Sequence, residues 1–204
     1  MQDKTKIQLS QTEKEVMYDR DFFLTKHRVI EKVFKLFAIL AEKMKMAVAD
    51  HNNLPQEWIK STPRIFKGEN YLQLPYVMLD YPAIYRKENI LAIRTMFWWG
   101  NFISVSLHIS GAYKELLNSS GDQLLQLIQE QKLFVCINKN QWQHHFEEDN
   151  YLPADKLTSE KWNEILSGDF IKLSQKIPLT LWDNADELPV TYFTGMLRIL
   201  LLVS

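Results

Sequence analysis

The stretch RTMFWWGNFISVSLHISG, residues 94–111, decides the fold. It sets Phe97, Trp98, Trp99 and Phe102 around a Gly100-Asn101 pair, then alternates serine and histidine with branched aliphatic residues. Glycine adopts positive φ at little cost and asparagine tolerates it, so Gly-Asn between two strand-like runs signals a two-residue hairpin turn. That turn pairs Trp99 with Phe102, Trp98 with Ile103 and Phe97 with Ser104. Cross-strand partners share a face, and two sets of side chains result. Ile90, Ala92, Arg94, Met96 and Trp98 oppose Ile103, Val105, Leu107 and Ile109, an apolar face that reads as core. Leu91, Ile93, Thr95, Phe97 and Trp99 oppose Phe102, Ser104, Ser106, His108 and Ser110.

The second face is the candidate ligand site. Thr95, Ser104, Ser106 and His108 supply donors and acceptors, while Phe97, Trp99 and Phe102 supply an apolar wall, the usual form of a small-molecule pocket. An imidazole adds a proton donor or acceptor near neutral pH. The plainer reading is a half-exposed sheet face, or one covered by a helix that bonds the serines. Ser106 and His108 stand about 6 to 7 Å apart along a strand, too far for a nucleophile–base pair. Arg94 is the anomaly on the apolar face, since a buried guanidinium needs a carboxylate. Asp80 and Glu69 are the nearest candidates by strand order, unless Arg94 lies at the sheet margin and reaches water. It is also a candidate anion contact.

Outward from the hairpin, apolar residues at Val29, Ile30, Val33, Phe34, Phe37, Leu40, Ala41, Met44 and Val48 fall at steps of three and four, predicting a long amphipathic helix over 25–50. Asn53 and Pro55 are its stop signal, with a short helical turn over 55–61. Residues 71–82 read as a strand that Pro75 confines to an edge or a bulge. Residues 112–132 read as helix, broken at 118–121 with Asp122 capping the second piece. The run 133–139 reads as a short buried strand and 140–155 as a polar connection. Residues 158–168 read as a helix with a capping box at Thr158 or Ser159 and a stop at Gly168. A short helix over 169–177 and a buried C-terminal helix complete the chain. Helix, strands, helix, strand and helices in this order predict an α+β domain with a mainly antiparallel sheet, spanning 21–204, behind a polar N-terminal arm over 1–20.

Composition narrows the function. The 204 residues carry 24 basic and 25 acidic side chains, and no run clusters Lys and Arg as phosphate binding requires. The N-terminus has no apolar core of a signal peptide, and the apolar C-terminus is too short to span a bilayer. Cys136 stands alone and reads as a small buried hydrophobe. A cytoplasmic home is expected, and the chain has the look of a bacterial protein. No glycine-rich phosphate loop, nucleophile elbow or paired CxxC occurs, and no cofactor is expected. His144, His145 and Glu148 form the densest collection of metal ligands but lack a zinc-site pattern, so no metal is expected either. The leading expectation is a non-enzymatic interaction module, pairing as a homodimer through the arm or the edge strand near Pro75. The alternative is a small-molecule-binding protein or enzyme working through the His108 face.

Overall fold

The computed structural model describes residues 7–51, 54–118 and 121–201. The helix stop at Asn53, the break at Ser119-Ser120 and the cap from the Asp122 side chain lie outside the described residues. The architecture is α+β, with seven strands in one antiparallel sheet. Strands β1 (Arg64–Tyr71), β2 (Leu74–Tyr85), β3 (Ile90–Trp98) and β4 (Phe102–Ser110) form a meander. Strand β7 (Phe170–Pro178) pairs with β4, and the short β5 (Phe134–Cys136) and β6 (Tyr151–Pro153) extend the sheet to its other margin. The order is β1-β2-β3-β4-β7-β5-β6.

Helices cover one face. Helix α2 (Arg20–Ala49) buries Ile30, Val33, Phe37, Leu40, Ala41, Met44 and Val48, the stripe its spacing implies. It is preceded by α1 (Gln11–Tyr18) and followed by α3 (Gln56–Ile59). Helices α4 (Ala112–Asn118), α5 (Gly121–Glu130) and α6 (Ser159–Ser167) flank the sheet, and α7 (Leu188–Leu200) lies buried against it through Phe193, Met196, Leu197 and Ile199. The core joins these side chains to Val77, Leu79, Leu91, Ile93, Phe97, Ile103, Val105, Leu107, Ile109, Ile171 and Leu173.

Several expectations are corrected. The hairpin 90–109 exists, but its turn takes three residues, Trp99 to Asn101. A two-residue type I′ turn needs positive φ at both central residues, and only Gly100 has it, at 72°. Asn101 instead ties the loop by donating from Nδ2 to the Trp99 carbonyl at 2.9 Å. The register therefore slips by one, to Trp98–Phe102 and Met96–Ser104. A one-residue slip exchanges every partner's face, so Leu91, Ile93, Thr95 and Phe97 join the apolar set of β4. Arg94, Met96 and Trp98 join its serines and histidine.

Residues 170–178 are a strand, not a helix. Ile171, Leu173 and Ile177 alternate with Lys172, Ser174 and Lys176, a period of two. β1 was not expected, and its presence moves β2 inside the sheet. Pro75 is tolerated there because β1 pairing is irregular between Gly68 and Tyr71, opposite it. Thr158 caps α6 alone: residue 161 is Lys, so no capping box closes.

Candidate functional site

The slipped register divides the candidate residues between the two sides of the sheet. Thr95, Phe97 and Trp99 belong to the helix side. Thr95 is buried with no partner for its hydroxyl, while the Phe97 ring packs edge-on against both Trp99 and Trp182. Together with Val29, Lys32 and Leu179 the three rings line a cleft of about 490 Å³ between α2 and the hairpin tip. Arg94, Phe102, Ser104, Ser106 and His108 lie on the opposite side, where Trp98 and Phe102 form a small second core with Met78 and Met96.

That opposite side is covered, and not by a helix. Residues 137–150 lie over it: 140–150 belong to the polar connection expected over 140–155, while 137–139, expected to end a buried strand, leave the sheet after Cys136. Ser104 is 2 %, Ser106 4 % and His108 5 % exposed. Phe146 anchors the cover by packing on Phe102, Phe134 and Tyr151. Tyr71 holds it from β1, its hydroxyl accepting from the His144 amide at 2.6 Å and the His145 amide at 3.1 Å.

Between cover and sheet lies a polar network. Arg94 makes a two-pronged bridge to Asp80, Nε to Oδ1 at 2.7 Å and Nη2 to Oδ2 at 2.8 Å, so of the two expected partners Asp80 is the one used. Glu69 pairs with Lys26 instead. Tyr85 completes the bridge, its hydroxyl donating to Asp80 Oδ2 at 2.9 Å and accepting from Arg94 Nη2 at 3.1 Å. Burial drags the Arg94 pKa down, but the Asp80 carboxylate more than offsets it and the net shift is upward.

The residue the sequence reading missed is Lys172, 1 % exposed. Its Nζ contacts the carbonyl oxygens of Gln141 at 3.0 Å and Gln143 at 2.5 Å, and His144 Nδ1 at 3.3 Å. Burial, aided by the Arg94 charge, pushes its pKa down to about 7, against a smaller opposing pull from Cys136. His108 donates from Nε2 to Gln141 Oε1 at 2.8 Å and is boxed by Trp142 and Phe170. Burial first, then Lys172, lowers its pKa to about 3. Burial and the same cations hold His144 well below the ordinary imidazole range. Ser106 bonds Ser174 at 2.8 Å, so it is not poised against His108 as a nucleophile. The Tyr151 hydroxyl, on a residue 3 % exposed, is buried beside Ser106 and Ser174, and burial raises its pKa.

His144, His145 and Glu148 do not converge. His144 is buried between Arg94 and Lys172, His145 faces Asp149 at 3.8 Å, and Glu148 is exposed. Among the described residues no group of three metal-ligating side chains assembles, and no helix is long and apolar enough to cross a membrane. What the network can do chemically is hold or exchange protons: one fixed guanidinium, one amine and two imidazoles share a space with a single carboxylate. Comparison with protein-family models, with curated proteins and with solved structures finds no match for this chain in any of the three.

Proposed function

We propose that the chain is a non-enzymatic interaction module of the cytoplasm that pairs with a second copy of itself through its helical arm. One observation carries this reading. Helix α1 and the first ten residues of α2 bury no side chain. Yet they display Val16, Met17, Tyr18, Phe22, Phe23 and Leu24 at 41–78 % exposure. The arm is well formed despite that: Ser10 and Glu13 close a capping box on α1, and Asp19 accepts from the Phe22 amide at 2.8 Å.

Half-exposed side chains of this size offer on the order of 500 Å² per copy, so a reciprocal contact reaches the roughly 1,000 Å² of a specific interface. Charge favours a two-fold, antiparallel arrangement. Residues 11–21 hold four acids (Glu13, Glu15, Asp19, Asp21) against two bases (Lys14, Arg20). Residues 26–35 hold four bases (Lys26, Arg28, Lys32, Lys35) against Glu31. Crossing two copies head to tail sets acid against base twice. It also carries the Phe22–Phe23 edge toward the partner copy's Trp99–Trp182 cleft, which opens beside Val29 and Lys32. The lone, buried Cys136 agrees with a reducing compartment.

Light scattering on the full chain, at concentrations well above micromolar, checks the proposal. Twice the 24.2 kDa chain mass is expected, falling to the single mass when Phe22 and Phe23 are both changed to Glu. A single mass for the unaltered chain throughout would overturn it. The second reading, a small molecule or substrate bound on the His108 face, draws on the amine, imidazoles and hydroxyls gathered there. It requires residues 137–150 to move.

A further inference from the structure

His144 sits between two nitrogen donors: Lys172 Nζ lies 3.3 Å from Nδ1, and Arg94 Nη1 lies 3.4 Å from Nε2. A neutral imidazole has one lone pair, and a protonated one has none. Arg94 stays charged and can only donate, so in the tautomer that gives its Nη1–H an acceptor, Nε2 is that acceptor and Nδ1 carries the hydrogen. Lys172 must then accept from Nδ1–H, which only an uncharged amine can do. Its two remaining hydrogens match the two carbonyls it faces, Gln141 and Gln143. Counted this way each contact along Arg94–His144–Lys172 sets one donor against one acceptor. A proton added to either Lys172 or His144 sets donor against donor inside a space the cover seals.

We propose that residues 137–150 form a proton-released cover, locked shut by an uncharged Lys172 and a neutral His144 and opened when these groups take up protons, which bares the Ser104, Ser106 and His108 face. This holds whether or not the chain pairs through its arm, because it rests on different residues. Three of the cover's contacts end on Lys172 and a fourth on His108.

The surrounding charges offer no substitute anion. Asp80 on β2 is engaged by Arg94 and Tyr85. Tyr71 on β1, Cys136 on β5 and Tyr151 on β6 have their pKa values raised by burial, which keeps them neutral; the upward pull on Lys172 comes only from a Cys136 thiolate, the form that burial disfavours. Lys176 on β7 lies 5.3 Å over the Phe146 ring and adds only positive charge. Within the cover, Asp149 is exposed and faces His145.

The direction with pH follows from linkage. Each buried base has a lower pKa in the closed state than its ordinary value, so the open state binds more protons. Closure is therefore fully favoured above the ordinary pKa and loses ground as pH falls toward the lowered one. For Lys172 that window runs from about 10.5 to about 7, and for the two histidines it lies below 6.5.

Hydrogen exchange on the full chain tests the cover, with rates normalised to a peptide of residues 137–150. Protection of that segment should fall at least about a hundredfold between pH 7.5 and pH 4.5, the ratio that one imidazole of ordinary pKa gains on release. Amides of β3 and β4 should keep theirs. Unchanged protection of the segment, or its loss in step with β3 and β4, would overturn the proposal. A second measurement needs no variant. At pH 8 the Lys172 ζ nitrogen should resonate as an amine in ¹⁵N spectra and convert to an ammonium on acidification, and an ammonium signal at pH 8 would sink the lock. Lys172→Met should abolish the change between pH 9 and pH 7 while sparing the step below 6.5. Persistence of both would count against Lys172.

Discussion

Replacing Asp80 by Asn removes one charge and almost no volume from the interior of the sheet. The residue is 2 % exposed and the Arg94 side chain only 13 %, so the guanidinium cannot turn to water for a substitute. In the native chain two charge-assisted bonds of 2.7 and 2.8 Å join them, and Tyr85 donates to the same carboxylate. The amide keeps one acceptor oxygen but points two hydrogens at groups that themselves donate. Breaking a buried pair from one side costs about 3–5 kcal/mol because the remaining charge is left uncompensated. For a chain of this length that is a fall in Tm of roughly 6–20 °C. Urea unfolding followed by far-ultraviolet circular dichroism measures it. The double replacement Asp80→Leu, Arg94→Met supplies the contrast: with both charges gone, stability should return to within about 1–2 kcal/mol of the native chain. A loss below about 1 kcal/mol for Asp80→Asn would refute the reasoning, since Arg94 would then be hydrated. Equal damage in the single and double variants would refute it too, because shape rather than charge would be at stake.

Two glycines with positive φ should respond differently to alanine. Gly100, at φ 72° with open space around it, should lose about 1 kcal/mol from backbone strain alone. Gly111, at φ 59°, should lose at least about 2, because a Cβ there also strikes the Glu88 carbonyl and the Asn89 side chain. Equal losses in urea melts would show that the Asn89 contact yields freely. Cys136, 4 % exposed with its thiol pKa raised by burial, should resist iodoacetamide at pH 8 in the native chain and react at the ordinary rate in 6 M urea; rapid native labelling would contradict that burial.

What the sequence determined by itself is the inventory of elements whose pattern has one solution. The stripe from Ile30 to Val48 fits only a helix with one apolar face, and β4 alternates so strictly that only a strand accommodates it. The requirement that Arg94 find a carboxylate, with Asp80 among the two candidates, likewise follows from the cost of a buried charge. The register between β3 and β4 does not follow, because β3 is apolar on both faces and accepts either partner set. Only Arg94 against Thr95 distinguishes them, and reading Arg94 as the exception on an apolar face chose the wrong one. The polar set of β4 takes Arg94, with the Gly100 loop lengthened by one residue to allow it. Lys172 was hidden for a related reason: its significance comes from sitting beside His108 across β4 and β7, residues 64 positions apart in the chain. The cover has no periodicity to announce it, since its 14 residues hold on by side-chain and carbonyl bonds rather than by a repeating backbone pattern. Contacts of that kind are set by which surfaces meet in three dimensions, and local sequence carries no record of them.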